Sequence, residues 1–347
     1  MRQLFELLET DPGPPFALVT VVDRASGLRA VVALDDATLG PAAGGVRTQR
    51  YASDEAALAD ARALARAMTI KCALAGLDAG GGKCVVLDHD RLDRPRAFAA
   101  LGERIEALGG LFRTAGDLGT TGADLAAMAT RTQFVHTDES GLADAVARGL
   151  VRCIEAAAEV HRGQASVAGL WIAVQGAGAI GAAATRALVR AGAHVTLADV
   201  DRARVAAVAA ETGASIAEPS EVLALGVDVI APCAIGGVID ESAVRALRAW
   251  AVVGAANNVL ASDAVAHELA RREILHVPDP IASAGAVIEG IGRTVMGLTD
   301  RTPLIDALGT TAREVLAEAR ATGRPPSEVA IARARARIER ARASRLG

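Results

Sequence analysis

Lysine is almost missing from this chain. Only Lys71 and Lys83 interrupt a set of 37 basic residues that is otherwise arginine. Aromatic side chains are scarce as well, at 2% with a single tyrosine, so the interior relies on many closely packed Ala-rich helices. The formal net charge is −4 without a long basic run, which argues against nucleic acid as the main partner. No apolar stretch approaches the ~20 residues that span a bilayer. Acids break up the opening MRQLFELLETD, so the apolar core of a secretory signal is missing and the expected location is the cytoplasm. The four cysteines, Cys72, Cys84, Cys153 and Cys233, lack CxxC spacing; they indicate neither a metal site nor a disulfide framework and read as small buried apolar residues.

What is present is a 347-residue chain, 51% hydrophobic and 22% charged, long enough for about two soluble domains. Within it the two lysines share one Gly-rich segment. Coding bias accounts for the arginines. It does not account for lysines at two neighbouring places, which suggest sites where a guanidinium cannot serve: an ammonium loses its proton when desolvated or crowded by another cation, and arginine does not. The alternative is that both survived by chance on a solvated loop.

Along the chain, FALVTVVD and LRAVVAL read as a β-hairpin, followed by a loop at Gly40-Pro41-Ala42-Ala43-Gly44-Gly45. Ser53 caps an Ala-rich helix predicted to run to about Met68. Gly80, Gly81 and Gly82 precede Lys83 and a strand-like CVVL, and they would let a ligand approach the backbone. Pro95 to Leu108 reads as helix, Leu111 to Thr114 as a strand ending at Gly116-Asp117, and residues 141–162 as a long helix.

GLWIAVQGAGAIGAAATRALVRAGAHVTLADVD is the most specific local signal. A strand meets Gly176, Ala177, Gly178, Ala179, Ile180 and Gly181, a helix follows, and a second strand ends at Asp199-Val200. These glycines allow a tight turn, close approach of a pyrophosphate and packing of helix on strand. A carboxylate at Asp199 suits an adenosine ribose and repels a 2′-phosphate, favouring NAD over NADP, although Arg202 lies near. Strand-like VDVIAP, WAVVGA and EILHVP continue a parallel sheet. Cys233-Ala234 and Ala256-Asn257-Asn258 fall after its carboxyl ends, where such sheets bind ligands. The Arg-rich tail reads as a solvated packing helix.

The segments GPAAGGVR, MTIKCALAGLDAGGGKCVVL, TAGDLGTT, VQGAGAIG, APCAIGG, AANN and PDPIASAG occur in the order found in the amino acid dehydrogenase family, which covers glutamate, leucine, phenylalanine and valine dehydrogenases. The chain resembles the leucine/phenylalanine branch most, over about residues 30–330. The resemblance implies an α/β fold of two domains with an active-site cleft between them: residues 1–140 for substrate and oligomerisation, 141–325 as a Rossmann NAD-binding domain, and 326–347 as a C-terminal helix that could pack back on the first. It implies reversible oxidative deamination of an L-amino acid, with NAD as hydride acceptor, in a homo-oligomer. By motif, Lys71 would hold the substrate carboxylate, Lys83 would transfer protons and Asp117 would be its partner carboxylate. Gly44 and Gly45 would border the substrate, while Ala43 and Ala115 would widen a side-chain pocket closed by Ile305 and Leu308. No cation is evident to meet a side-chain carboxylate, so the expected substrate is an apolar L-amino acid.

Two departures stand out. Ser283 occupies the place of the family's asparagine, whose amide would orient the substrate head group, and Val146-Ala147 replaces a Thr-Ala pair. They keep open a dehydrogenase redirected to an unusual amine or oxo acid, and an NAD-binding homologue without turnover.

Overall fold

The computed structural model describes residues 15–346. The described residues divide into two compact units: 15–139 with Gly290–Gly297 and 335–346, and Ser140–Glu289 with Leu298–Ala334.

The first unit is built on a five-stranded sheet of order β1-β2-β4-β3-β5. Strands β1 (Ala17–Asp23) and β2 (Leu28–Asp36) form the expected antiparallel hairpin. Gly27 turns it at φ +73°, and Asp23 accepts hydrogen bonds from the Ser26 amide and hydroxyl. Strand β4 (Gly80–Leu87) runs antiparallel to β2, and β3 (Ala42–Gln49) lies parallel to both β4 and β5 (Phe112–Gly116). One face carries α2 (Arg94–Ala107) and α3 (Gly122–Ala129) over a core that includes Phe98, Leu101, Ile105, Phe112 and Met128. The other face takes α1 (Asp54–Leu74), whose Ala57, Ala61 and Ala65 recur every four residues as one stripe against Ala33 and Val85.

Three local expectations change here. Residues 42–45 are strand, not loop. Strand β3 tolerates its glycines because they sit in tight spots: a Cβ on Gly44 would stand 1.7 Å from the Gly82 carbonyl oxygen. Helix α1 runs past Met68 to Leu74 and places Lys71 in its last turn. The space beside Gly80–Gly82 belongs to the protein and not to a ligand. Side chains there would meet the Asp36 carbonyl oxygen at 1.8 Å, the Thr69 amide nitrogen at 2.2 Å and the Phe112 ring at 2.9 Å.

The second unit holds a six-stranded sheet of order β11-β10-β9-β6-β7-β8, all parallel. Its strands are β6 (Trp171–Gln175), β7 (His194–Ala198), β8 (Ser215–Ile216), β9 (Val229–Pro232), β10 (Ala251–Val253) and β11 (Leu275–Val277). The order reverses between β6 and β9, the doubly wound arrangement that places ligands at the carboxyl ends of the strands beside that switch. Two long helices, α4 (Leu142–Arg162) and α11 (Thr302–Thr322), pack together where Gly149 has no side chain, since a Cβ there would lie 2.9 Å from Leu308. Between these lie α5 (Ala179–Arg190), α6 (Arg202–Thr212), α7 (Glu241–Ala246), α8 (Asp263–Arg271), α9 (Asp279–Ala282) and α10 (Gly285–Thr294); α12 (Pro326–Leu346) ends the chain. All four cysteines are free and buried. Among the described residues no helix is long and apolar enough to cross a membrane.

Candidate active site

In the first unit, Lys83 and Asp117 meet as an ion pair in which the lysine is buried and the aspartate half-buried. Lys83 stands on β4, on the face shared with Gly81 and Val85 that looks toward α1, because side chains alternate along a strand. Asp117 follows the last residue of β5 and lies over Gly45, where a Cβ would come within 2.9 Å of its own Cβ. The Lys83 ammonium is 2.8 Å from Asp117 Oδ2, and Lys83 retains 6% of its exposure. Burial pushes the Lys83 pKa below the ordinary lysine value, Asp117 pulls it back, and the Arg47 charge adds to the lowering. Burial works to raise Asp117, but the Lys83 and Arg47 charges outweigh it and hold the carboxyl below its usual range.

Arg47 donates from Nε to the same Asp117 oxygen at 2.9 Å and reaches Asp60 on α1 through Nη1 at 3.3 Å. Tyr51 donates its hydroxyl to Asp60 at 2.5 Å. None of these three residues had a role in the sequence reading, although Arg47 closes the GPAAGGVR segment. Gly45 and Arg47 share one face of β3 by the two-residue period, and recognising that segment as strand would have aimed Arg47 at the position over Gly45.

Lys71 is buried on the turn of α1 that follows Thr69, the residue against which Gly81 packs. Ala43 is wholly covered, Ala115 is half-buried, and the missing side chain of Gly44 makes room for β4. In the second unit, Ile305 and Leu308 are both buried, with Leu308 and Ile305 facing Gly149 of α4. Val146 and Ala147 are buried in the same helix.

The glycine turn that begins α5 has the features a dinucleotide needs. Gly176 adopts φ +106° against Ala234, a Cβ on Gly181 would collide with the Gly176 carbonyl oxygen at 1.9 Å, and a Cβ on Gly178 would meet nothing. Gly178 caps α5 without a side-chain hydrogen bond, so the first amides of the helix are left for an anion. Ala179 is exposed and Ile180 half-buried beside that opening. Asp199 accepts the Ala177 amide at 2.6 Å and the Asp201 amide at 2.9 Å. These two bonds, the Ala177 one foremost, keep its carboxyl below the usual range, while Val200 next to it is exposed. Arg202 is paired with Glu218 at 3.2 Å.

At the ends of β9, β10 and β11 the predicted neighbours converge. Cys233 donates its amide to Gln175 and Ala256 donates to the Pro232 carbonyl. Asn258, at φ +52°, donates its amide to Asp279, and Ser283 lies 3.5 Å from the Asn257 side chain. The Ser283 hydroxyl also donates to the Asp279 carbonyl at 2.6 Å.

Two family models match the chain, the Glu/Leu/Phe/Val dehydrogenase dimerisation domain over residues 17–134 and the Glutamate/Leucine/Phenylalanine/Valine dehydrogenase domain over residues 196–291. The valine dehydrogenase of Streptomyces albus is 36% identical over 355 aligned positions, covering 99% of this chain and 97% of that protein. The chain belongs to the Glu/Leu/Phe/Val dehydrogenase family. Leucine dehydrogenase of Geobacillus stearothermophilus is 38% identical over 273 positions, 77% of this chain and 74% of that protein. Among solved structures, L-tryptophan dehydrogenase from Nostoc punctiforme shares 29% identity, covers 99% of each chain and superposes with a TM-score of 0.87. The family is thus shown through both sequence and fold, and near its leucine dehydrogenase branch. Its dinucleotide-binding domain implies a nicotinamide cofactor.

Proposed function

We propose that this family member catalyses the reversible oxidative deamination of an apolar L-amino acid to its 2-oxo acid and ammonia, with NAD as hydride acceptor. The observation that carries the reading is the pair of buried Lys83 with half-buried Asp117, in which the amine is pushed toward neutrality while the carboxyl stays ionised. Relatives named leucine, valine and tryptophan dehydrogenases support an apolar substrate.

The cofactor, when bound, supplies an acceptor for the hydride from the substrate Cα. The turn from Gly176 to Gly181 and the open helix start would hold its pyrophosphate, Asp199 a ribose, and Cys233, Ala234, Ala256, Asn257 and Asn258 would border it. The second lone pair on each Asp199 oxygen remains for ribose hydroxyls, and the ionised carboxylate disfavours a 2′-phosphate. Lys71 holds the substrate carboxylate as a compact cation. Neutral Lys83 then takes a proton from the water that attacks the iminium carbon. The proton that Lys83 takes from water crosses the 2.8 Å to Asp117, which hands it to the substrate nitrogen and is left ionised again, so that ammonia leaves as the carbonyl forms. Breadth is expected among apolar side chains, because one methylene is worth only ~1–3 kcal/mol of discrimination.

A second reading is favoured by Ser283, whose hydroxyl is turned to the Asp279 carbonyl and could orient a head group only differently from a side-chain amide. In that case the substrate is an unusual amine. Reduced-cofactor formation at alkaline pH with a panel of L-amino acids separates the two. Turnover of leucine, valine, phenylalanine or tryptophan with NAD, and at least ~10-fold less with NADP, is expected; turnover of unconventional amines alone selects the second reading, and none at all removes both.

Assembly is proposed to be a homo-oligomer formed through the first unit, whose matched family segment is described as a dimerisation domain.

A further inference from the structure

Five polar side chains of the first unit touch in series. Tyr51 donates to Asp60, Asp60 accepts from Arg47, Arg47 donates to Asp117 Oδ2, and that oxygen also faces the Lys83 ammonium. Resting on the reading of Lys83 as the proton-transferring amine, we propose that Arg47 is a positioning residue that stays on Asp117 as its fixed counter-ion, so that Lys83 can release and regain its proton.

A lysine that serves as the sole partner of a half-buried carboxylate is poorly placed to titrate, because each deprotonation would strip that partly desolvated anion of its counter-charge. Arg47 removes the difficulty, since a guanidinium keeps its charge throughout. Its geometry suits two acceptors at once: Nε is committed to Asp117 at 2.9 Å and Nη1 to Asp60 at 3.3 Å, separate donors of one planar fork. The groups facing Lys83 are Asp117 from the segment after β5, Arg47 from β3 and Asp60 from α1, while β2 places Ala33 opposite it in register. With Arg47 these four groups sum to zero when Lys83 is charged and to one negative charge when it is neutral. Without Arg47 two uncompensated carboxylates would face the neutral amine, and Lys83 would hold its proton more tightly.

Tyr51, the chain's single tyrosine, fixes the far end of the series. Burial and the Asp60 carboxylate push its own pKa up, so it remains a hydroxyl donor to Asp60 at every working pH. Asp60 is thereby aimed at Arg47, and Arg47 at Asp117.

The scarcity of lysine makes a direct test simple. Full-length protein labelled with carbon-13 at lysine Cε carries two such side chains, told apart by a Lys71→Arg variant, and the Lys83 titration is read by NMR. Arg47→Gln should raise the Lys83 midpoint by ~1 unit or more. The acid limb of kcat/KM for deamination should move by the same amount, with NAD affinity unchanged. Arg47→Met, which keeps the apolar stem, carries the same expectation where the glutamine variant does not fold. A Lys83 midpoint that stays in place in a folded variant overturns the proposal, even if turnover or melting temperature drops, because a merely structural arginine would lower those alone. Loss of the functional reading is distinguishable: it would appear as wild-type protein without amino acid turnover, whereas the NMR shift reports on Arg47 regardless.

Discussion

At the residue scale the proposed chemistry depends on an amine that changes its protonation state. Lys83→Ala should lower turnover by about 10²- to 10⁴-fold, the range of one general acid or base, while the NAD dissociation constant holds because the fingerprint belongs to the second unit. Lys83→Arg should fall as far as the alanine variant, since its charge persists; an arginine variant with near wild-type turnover would show that Lys83 only provides charge. The pH dependence has a definite sign. Burial depresses the Lys83 pKa, so neutral amine exists at pH values below the usual ~10.4, and the deamination rate drops as pH falls through that depressed value. Asp117 does not set this limb, because its carboxyl stays ionised to below the normal carboxylate range. Both residues could be singled out in the sequence, Lys83 by its rarity and Asp117 only through the family resemblance of TAGDLGTT. Arg47 is hidden among arginines that number all but two of the basic residues, and only the strand period of β3 distinguishes it.

At the scale of elements, glycines decide how closely the lysine-bearing pieces approach. Helix α1 carries Lys71 and strand β4 carries Lys83, and they touch where Gly81 lies against the Thr69 backbone. Gly81→Ala would place a methyl 2.2 Å from the Thr69 amide nitrogen and 2.4 Å from the Ala65 carbonyl oxygen, atoms that cannot swing away. The helix must shift, at a cost of ~1–3 kcal/mol or more. A thermal melt should fall by several degrees and turnover should drop with it; an unchanged melt would mean that the strand yields instead of the helix. This contact explains where sequence reading stopped. The hairpin, the dinucleotide turn and the long helix α4 were legible because alternation, glycine spacing and Ala-rich periodicity are local signals. Strand β3 was not, since glycine and alanine disfavour isolated strands and only the fit against Gly82 and Asp117 makes them suitable there. Strand β8, two residues long, offers too little periodicity to detect.

At the scale of the whole molecule the first unit presents an incompletely covered sheet edge. Among the described residues β1 pairs only with β2, and on the face it shares with Leu18, the α1 side of the sheet, Val22 keeps 65% of its exposure, with Phe16 at 61% just before the strand. Unpaired edge strands bearing apolar side chains invite a further strand, and a second copy of the same edge is the simplest partner under two-fold symmetry. Opposing this, the strand is short, and the polar Thr20 lies beside Val22 on the same face. Val22→Lys places a charge where pairing would bury it, the device by which natural sheets keep edges apart. Light scattering should report an oligomer for the wild type and a smaller species for the variant. NAD affinity should persist in both, since the dinucleotide turn belongs to the other unit. An unchanged mass for the variant would place the assembly contact on another surface of the first unit, and a monomeric wild type would remove the contact altogether.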